Sequence, residues 1–221
     1  MCSLLPKNQF GARKRHSTGQ ALTLLQEKIY DAWRDGKVLS LVSFDVKGAY
    51  NGVDRNVLLQ RLRCRQVPET VVRWVESFCS NRQACVLVNG ETSDMVDLTQ
   101  SGLPQGSPLS PILFLFFNAD LVQTPINKTQ RAIAFVDDYN AWVVGPSARA
   151  NVERLQAKVI PHAEAWETSS GAEFAPEKTA LIHFSRTRRR VEHAGPLLMR
   201  GVAVEASSHV KILGVLMDRQ L

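Results

Sequence analysis

Residues 131–144 hold two strand-like runs, Arg131 to Val136 and Tyr139 to Val144, with only Asp137 and Asp138 between them. Two such runs so closely spaced must turn back on each other. The segment therefore reads as an antiparallel hairpin with a carboxylate pair at a tight turn. Aspartate is common in turns because its side chain bonds nearby backbone, so the pair alone says little about chemistry. Its neighbours say more. Val38 to Asp45 (VLSLVSFD) reads as a strand, and Leu109 to about Val122 as an apolar helix entered through the Gly- and Pro-rich loop Gly102 to Pro108. Helical spacing returns at Val152, Leu155, Val159 and Trp166, with a kink expected at Pro161, and Lys178 to Phe184 reads as a further strand. The resulting order, βαββαβ, is the ferredoxin-like arrangement of an α+β domain. It predicts an antiparallel sheet with helices on one face and the other face free for a ligand.

The flanking sequence adds elements to this frame. Ser17 or Thr18 caps a helix whose apolar positions are Leu22, Leu25, Ile29 and Trp33, and Gly36 is placed to stop it. Asp54 caps a second helix (Val57, Leu58, Leu62), and Pro68 suits the first turn of a third (Val71, Val72, Val75, Phe78). Ala84 to Val88, Asn89-Gly90 and a run to Leu98 predict a second hairpin, and Val210 to Met217 reads as the last strands. With 221 residues, 44% of them hydrophobic, the chain can bury a core. Its longest apolar run, Ile112 to Phe117, falls far short of the roughly 20 residues that span a bilayer. No basic-then-apolar leader opens the sequence, so an intracellular protein without membrane contact is the expectation. Cys2, Cys64, Cys79 and Cys85 form no CxxC pair and have no histidine pair at zinc-site spacing, so they read as free thiols.

Charge is unevenly placed. Lys and Arg total 27 against 21 Asp and Glu, a net of +6. One cluster holds Lys7, Arg13, Lys14 and Arg15, and another holds Arg186, Arg188, Arg189 and Arg190. Each is either a patch that attracts phosphate backbones or a solvated loop.

Asp45 ends the first strand, which in a ferredoxin-like sheet pairs beside the hairpin. Three carboxylates then converge on one edge, and like charges so close need a counter-charge. Magnesium is the natural partner, because it takes hard oxygen ligands and leaves sites for substrate phosphates.

These stretches carry a family resemblance. Phe44-Asp45-Val46-Lys47-Gly48-Ala49-Tyr50 resembles the first catalytic motif of reverse transcriptases, and Gly102-Leu103-Pro104-Gln105-Gly106-Ser107-Pro108-Leu109-Ser110-Pro111 resembles their glycine-rich motif. Phe135-Val136-Asp137-Asp138 is similar to the aspartate-pair motif of non-LTR, LINE-like retrotransposons and group II introns. Glu177-Lys178-Thr179 resembles the fourth motif, and Lys211-Ile212-Leu213-Gly214-Val215 the primer-grip hairpin. Leu5-Pro6-Lys7-Asn8-Gln9-Phe10-Gly11-Ala12-Arg13, followed by Ser17-Thr18, resembles a fingers segment of LINE-like enzymes. In style the nearest elements are fungal. Two departures stand out: Ala12 to Ser17 differs from the family's usual run, and Asn51 stands where many members have aspartate.

The resemblance implies an RNA-directed DNA polymerase that takes an RNA template, a DNA primer and dNTPs. Asp45, Asp137 and Asp138 would hold two Mg2+ ions, with Mn2+ as a substitute, about 3.5–4 Å apart. Val46, Tyr50, Gln105, Gly106 and Arg13 would contact the nucleotide, with Tyr50 rejecting a ribose 2′-hydroxyl. Lys178 would stabilise or protonate the leaving phosphate, and Leu213 and Gly214 would grip the primer. Five of these also have an ordinary alternative: a strand-end aromatic at Tyr50, a helix-entry loop at Gln105 and Gly106, a surface lysine at Lys178, a solvated arginine at Arg13. The implied organisation is a partial fingers segment over 1–37 and a right-hand polymerase palm over 38–221, ending at the primer grip, with thumb and endonuclease domain absent. A truncated, inactive nucleic-acid-binding remnant is the competing expectation. An RNA-recognition sheet is disfavoured because no matching basic-aromatic motif occurs, and a cyclase because of the Gly102–Pro111 loop and Tyr50. A retrotransposon life cycle implies residence in the nucleus. Oligomeric state is left open.

Overall fold

The computed structural model describes residues 4–98, 101–123 and 130–221. Helix α1 (Thr18–Arg34) begins with a capping box: Ser17 accepts from the Gln20 amide while the Gln20 side chain accepts from the Ser17 amide. Gly36, at φ +64°, follows its end. Strand β1 (Val38–Phe44) leads to α2 (Arg55–Cys64), capped by Asp54 through the Val57 amide, and α3 (Glu69–Phe78), with Pro68 at the cap position. The expected hairpin after α3 forms as two short ladders. β2 (Gln83–Ala84) pairs with β5 (Val96–Asp97), and β3 (Leu87–Val88) pairs with β4 (Glu91–Thr92) around Asn89-Gly90.

The helix expected from Leu109 to Val122 is broken into α4 (Leu109–Phe117) and α5 (Ala119–Val122) at Asn118, whose side chain bonds out of the helix. β6 (Gln130–Phe135) and β7 (Asp138–Gly145) follow, then α6 (Ala148–Arg154), a π-helical turn (Leu155–Val159) and α7 (Ile160–Ser170). The irregularity expected at Pro161 thus lies just before it. The π turn puts the proline in the first turn of α7, where its missing N–H matters least. Pro176–Lys178 forms a 3-10 turn, so the next strand, β8 (Ala180–Phe184), starts after Lys178. A hairpin of β9 (Leu197–Met199) and β10 (Val202–Val204), the two-residue β11 (Ala206–Ser207) and a last hairpin of β12 (His209–Ile212) and β13 (Val215–Asp218) complete the chain.

The main sheet has the order β11-β8-β1-β7-β6, antiparallel except where β11 meets β8. With the helices between, β1, β6, β7 and β8 make the expected βαββαβ unit. The expectation of an open face is corrected. β1 reads VLSLVSF, apolar at consecutive positions, which suits a strand covered on both sides. Val42 and Phe44 face a core shared with α2, α3, α4 and α7. Leu39, Leu41, Ile133, Trp142, Ile182 and Phe184 face a second core closed by Leu25 and Ile29 of α1 and by Val210, Ile212 and Met217 of the last hairpin. With both faces covered, the exposed working surface is the end of the sheet where β1 stops and β6 turns into β7. Among the described residues no helix is long and apolar enough to cross a membrane. Cys64, Cys79 and Cys85 are free thiols; Cys2 lies outside the described residues.

Candidate active site

The register of β1 against β7 ends at Phe44↔Tyr139, and one further step sets Asp45 across from Asp138. The register of β6 against β7 ends at Phe135↔Asp138. The two turn residues are therefore Val136 and Asp137, one position earlier than the expected Asp137-Asp138 turn, and Asp138 is the first residue of β7. Val136 has φ +58°, an unfavourable conformation for a β-branched side chain. Distant groups hold it there. Its N–H donates to Gln9 Oε1 at 3.2 Å, and its carbonyl accepts from Asn118 Nδ2. The segment carrying Gln9 runs along β6, with the Phe10 amide donating to the Ala134 carbonyl at 2.8 Å and the Ala134 amide to the Asn8 carbonyl at 3.0 Å.

The charge of Asp45 is felt at both Asp137 and Asp138. Burial, then the charges of Asp137 and Asp45, push the Asp138 carboxyl up to about 6. Burial also raises Asp137, partly offset by backbone N–H groups of the turn and reinforced by the charge of Asp45. Lys178 brings a cation to this edge, its Nζ 3.2 Å from Asp45 Oδ2. Both partners are well exposed, so the pair is screened. Lys178 is brought there by backbone: Ala175 N–H donates to the Asp45 carbonyl at 2.9 Å and Lys47 N–H to the Glu173 carbonyl at 2.8 Å. Glu167 accepts from the Phe174 amide and pairs with Arg200, which steadies the same segment. Among the described residues, no three His, Cys, Asp or Glu side chains already close into a ligand cluster. The donor set nonetheless fits a hard divalent cation: oxygen ligands only, partly desolvated, and still short of positive charge.

The remaining sequence candidates divide. Tyr50 packs against Phe114, with ring centroids 5.7 Å apart, and its hydroxyl is raised by burial and by the charge of Asp137, which puts it beside the acidic edge. Val46 has its side chain in the core and forms an antiparallel bridge with Phe174. Gln105 lines an open cavity of about 590 Å³ with Asn51, Arg82, Gln83, Leu103 and Pro104, next to the acidic edge and not containing it. Gly106, at φ +92°, has open space where a side chain would stand. Arg82 donates to the Gly102 carbonyl at 2.6 Å and so shapes this cleft, a role no sequence signal marked. Arg13 donates to the carbonyls of Pro6, at 2.6 Å, and Gln9, at 3.0 Å, which engages its guanidinium in bracing its own loop. Leu213, at φ +49°, and Gly214, at φ +87°, form the turn of the last hairpin, and Leu213 packs against the second core. Gly11, which precedes the basic run by two residues, adjoins the Val136 turn, whereas Arg186 and the arginines after it follow the Phe184 end of β8, away from Asp45. Arg186 stacks over the Trp33 ring at 5.1 Å.

A profile of the family described as reverse transcriptase (RNA-dependent DNA polymerase) matches residues 1–217. Over 99% of its length the chain is 26% identical to the probable RNA-directed DNA polymerase from transposon BS of Drosophila melanogaster. Over 98% it is 25% identical to the RNA-directed DNA polymerase from mobile element jockey of the same species. It spans 24% of the length of each of these relatives. Among solved structures, apo telomerase from Candida tropicalis matches with a TM-score of 0.65 at 14% identity, covering 96% of this chain and 36% of that one. Telomerase from the same organism in complex with the TWJ fragment of telomeric RNA matches with a TM-score of 0.64, again at 14% identity, covering 96% of this chain and 33% of that one. At such identity the likeness speaks for the fold alone.

Proposed function

The chain belongs to the reverse transcriptase (RNA-dependent DNA polymerase) family, and from that premise we propose that it forms the palm of a retrotransposon polymerase that adds deoxynucleotides to a primer 3′-hydroxyl on an RNA template. The observation that carries this is the convergence of Asp45, Asp137 and Asp138 at one end of the sheet, mutually repelling and partly desolvated, with Lys178 alongside. Residues 1–37 act as a fingers segment and 38–221 as the palm, ending at the primer-grip hairpin.

Asp45, Asp137 and Asp138 would hold two Mg2+ ions, or Mn2+ in their place, which would supply activation of the primer hydroxyl and charge stabilisation for the leaving pyrophosphate. Tyr50, braced against Phe114 and next to Asp137, fills the space a ribose 2′-hydroxyl would need and so selects dNTPs. The Val46 backbone, Gln105 and Gly106 border the nucleotide, and the cleft that Arg82 and Asn51 share with Gln105 receives template or base. Lys178 exchanges its contact with Asp45 for the departing phosphate, to which it lends positive charge or a proton. Arg13 serves indirectly, holding the 6–13 loop so that Lys14 and Arg15 face the phosphate backbone. Leu213 and Gly214 steer the primer end. The nucleus is where such an element copies itself.

Primer extension on poly(rA)·oligo(dT) with dTTP and magnesium tests the proposal. Incorporation by the parent and none by Asp137→Asn is expected; undiminished synthesis by Asp137→Asn would sink it.

A further inference from the structure

Four two-residue hairpin turns among the described residues invite comparison. Asn89-Gly90, Arg200-Gly201 and Leu213-Gly214 each carry glycine at the second position, at φ +88°, +79° and +87°. Val136-Asp137 has no glycine and puts a β-branched residue at φ +58°. Local sequence does not favour that conformation, so something else must hold it.

Two buried amides do. Gln9 is 0% exposed and Asn118 1% exposed, although both are polar. Gln9 Oε1 accepts from the amides of Val136 and Gly11, each at 3.2 Å, and Gln9 Nε2 donates to Asn118 Oδ1 at 3.3 Å. Asn118 Nδ2 donates to the Val136 carbonyl. Both backbone polar groups of Val136 are thus bound by side chains 127 and 18 residues away, which are themselves linked. Gly11 closes the arrangement: a Cβ there would fall 2.4 Å from the Val136 nitrogen. Buried amides with all these bonds made fix a geometry, because any other turn would leave polar groups unpaired.

We propose that Gln9 and Asn118 are positioning residues, an amide pair that locks Val136 in its left-handed conformation and so aims Asp137 and Asp138 at a divalent cation. This rests on the assignment of those aspartates as cation ligands under the proposed function. The N-terminal segment is then part of the cation site although it contributes no ligand, in the way outer-shell partners tune metal centres.

Mn2+ titration of the full chain, read from the electron paramagnetic resonance signal of free ion, tests this without relying on turnover. The variants are Gln9→Met, which keeps length and removes every hydrogen bond of the Gln9 side chain, and the milder Asn118→Ser, which decides the matter if Gln9→Met does not fold. Each is expected to weaken Mn2+ binding about tenfold or more. Adding Val136→Gly to either is expected to recover most of the loss, because glycine adopts a positive φ without being held. A purely structural role for the amides would not respond to that rescue. Binding within about twofold of the parent in a folded single variant, or a loss that Val136→Gly leaves unchanged, overturns the proposal. Asp137→Asn separates the two levels. If it loses Mn2+ while Gln9→Met and Asn118→Ser retain it, only the positioning role falls. If the parent binds no better than Asp137→Asn, the ligand assignment falls with it.

Discussion

The hairpin turning at Leu213-Gly214 and the one turning at Val136-Asp137 begin alike, each with a left-handed residue, at φ +49° and +58°. They differ in how that conformation is maintained. At the first, glycine takes the next position with open space around it, so local sequence suffices. At the second, no glycine is present and Val136 does not suit its left-handed position, so the geometry is imposed by Gln9 and Asn118 from other parts of the chain. The second turn also bears charges that its surroundings disfavour. A turn that only reverses the chain relaxes; one that presents carboxylates is held against both strain and repulsion. Such local conflict, compensated from elsewhere, is the mark of a site kept for what it does.

The contrast can be broken in graded ways. Asp137→Asn has the largest expected effect, lowering magnesium-dependent incorporation by roughly 10³-fold or more in primer extension, with secondary structure retained by circular dichroism. Gly11→Ala comes next. Its new methyl meets Val136 backbone at 2.4 Å, so urea denaturation should show a loss of about 1–3 kcal/mol. Gly214→Ala, by comparison, meets no atom and suffers only its positive φ, a cost of about 1 kcal/mol in the same assay. If the two alanine variants are equally destabilised, the supposed difference between the turns disappears.

The smallest effect has the opposite sign. The Asp138 carboxyl sits at about 6 in the folded protein against an ordinary 3.8. An acid raised on folding binds its proton more tightly in the folded state, so its contribution is intact below 3.8 and is lost as pH rises through about 6. In metal-free buffer above that pH, Asp138→Asn should therefore stabilise the protein, by no more than about 1 kcal/mol because the exposed rim screens the repulsion. The gain should fade on acidification; urea midpoints at the two ends of the window measure it. A variant less stable than the parent above pH 6 would contradict uncompensated charge at this edge.

Much of this was legible in sequence because its signals are local. Ser17, one of the two expected residues, caps α1, Asp54 caps α2, and the turn at Asn89-Gly90 lies where its dipeptide puts it. The alternation from β1 to β8 gave the βαββαβ order and brought Asp45 beside the aspartate pair. Other features depend on partners far along the chain. The turn falls on Val136 rather than on the two aspartates because Gln9, 127 residues away, binds the Val136 amide. Asn118 breaks the apolar helix because its side chain is needed at that turn; an amide closing the run Leu109–Phe117 was the available clue, since a buried one must find partners. The covered second face was signalled by consecutive apolar residues in β1, a pattern that an open-faced sheet does not produce.

Thermal unfolding of the parent and of Asp137→Asn above pH 6, with magnesium either added or chelated, addresses the claim that this sheet edge is built for a divalent cation. Magnesium is expected to raise the melting temperature of the parent, because it binds the repelling carboxylates only when they are folded together, and to leave Asp137→Asn nearly unmoved. An equal response from the two, or none from the parent, would contradict it.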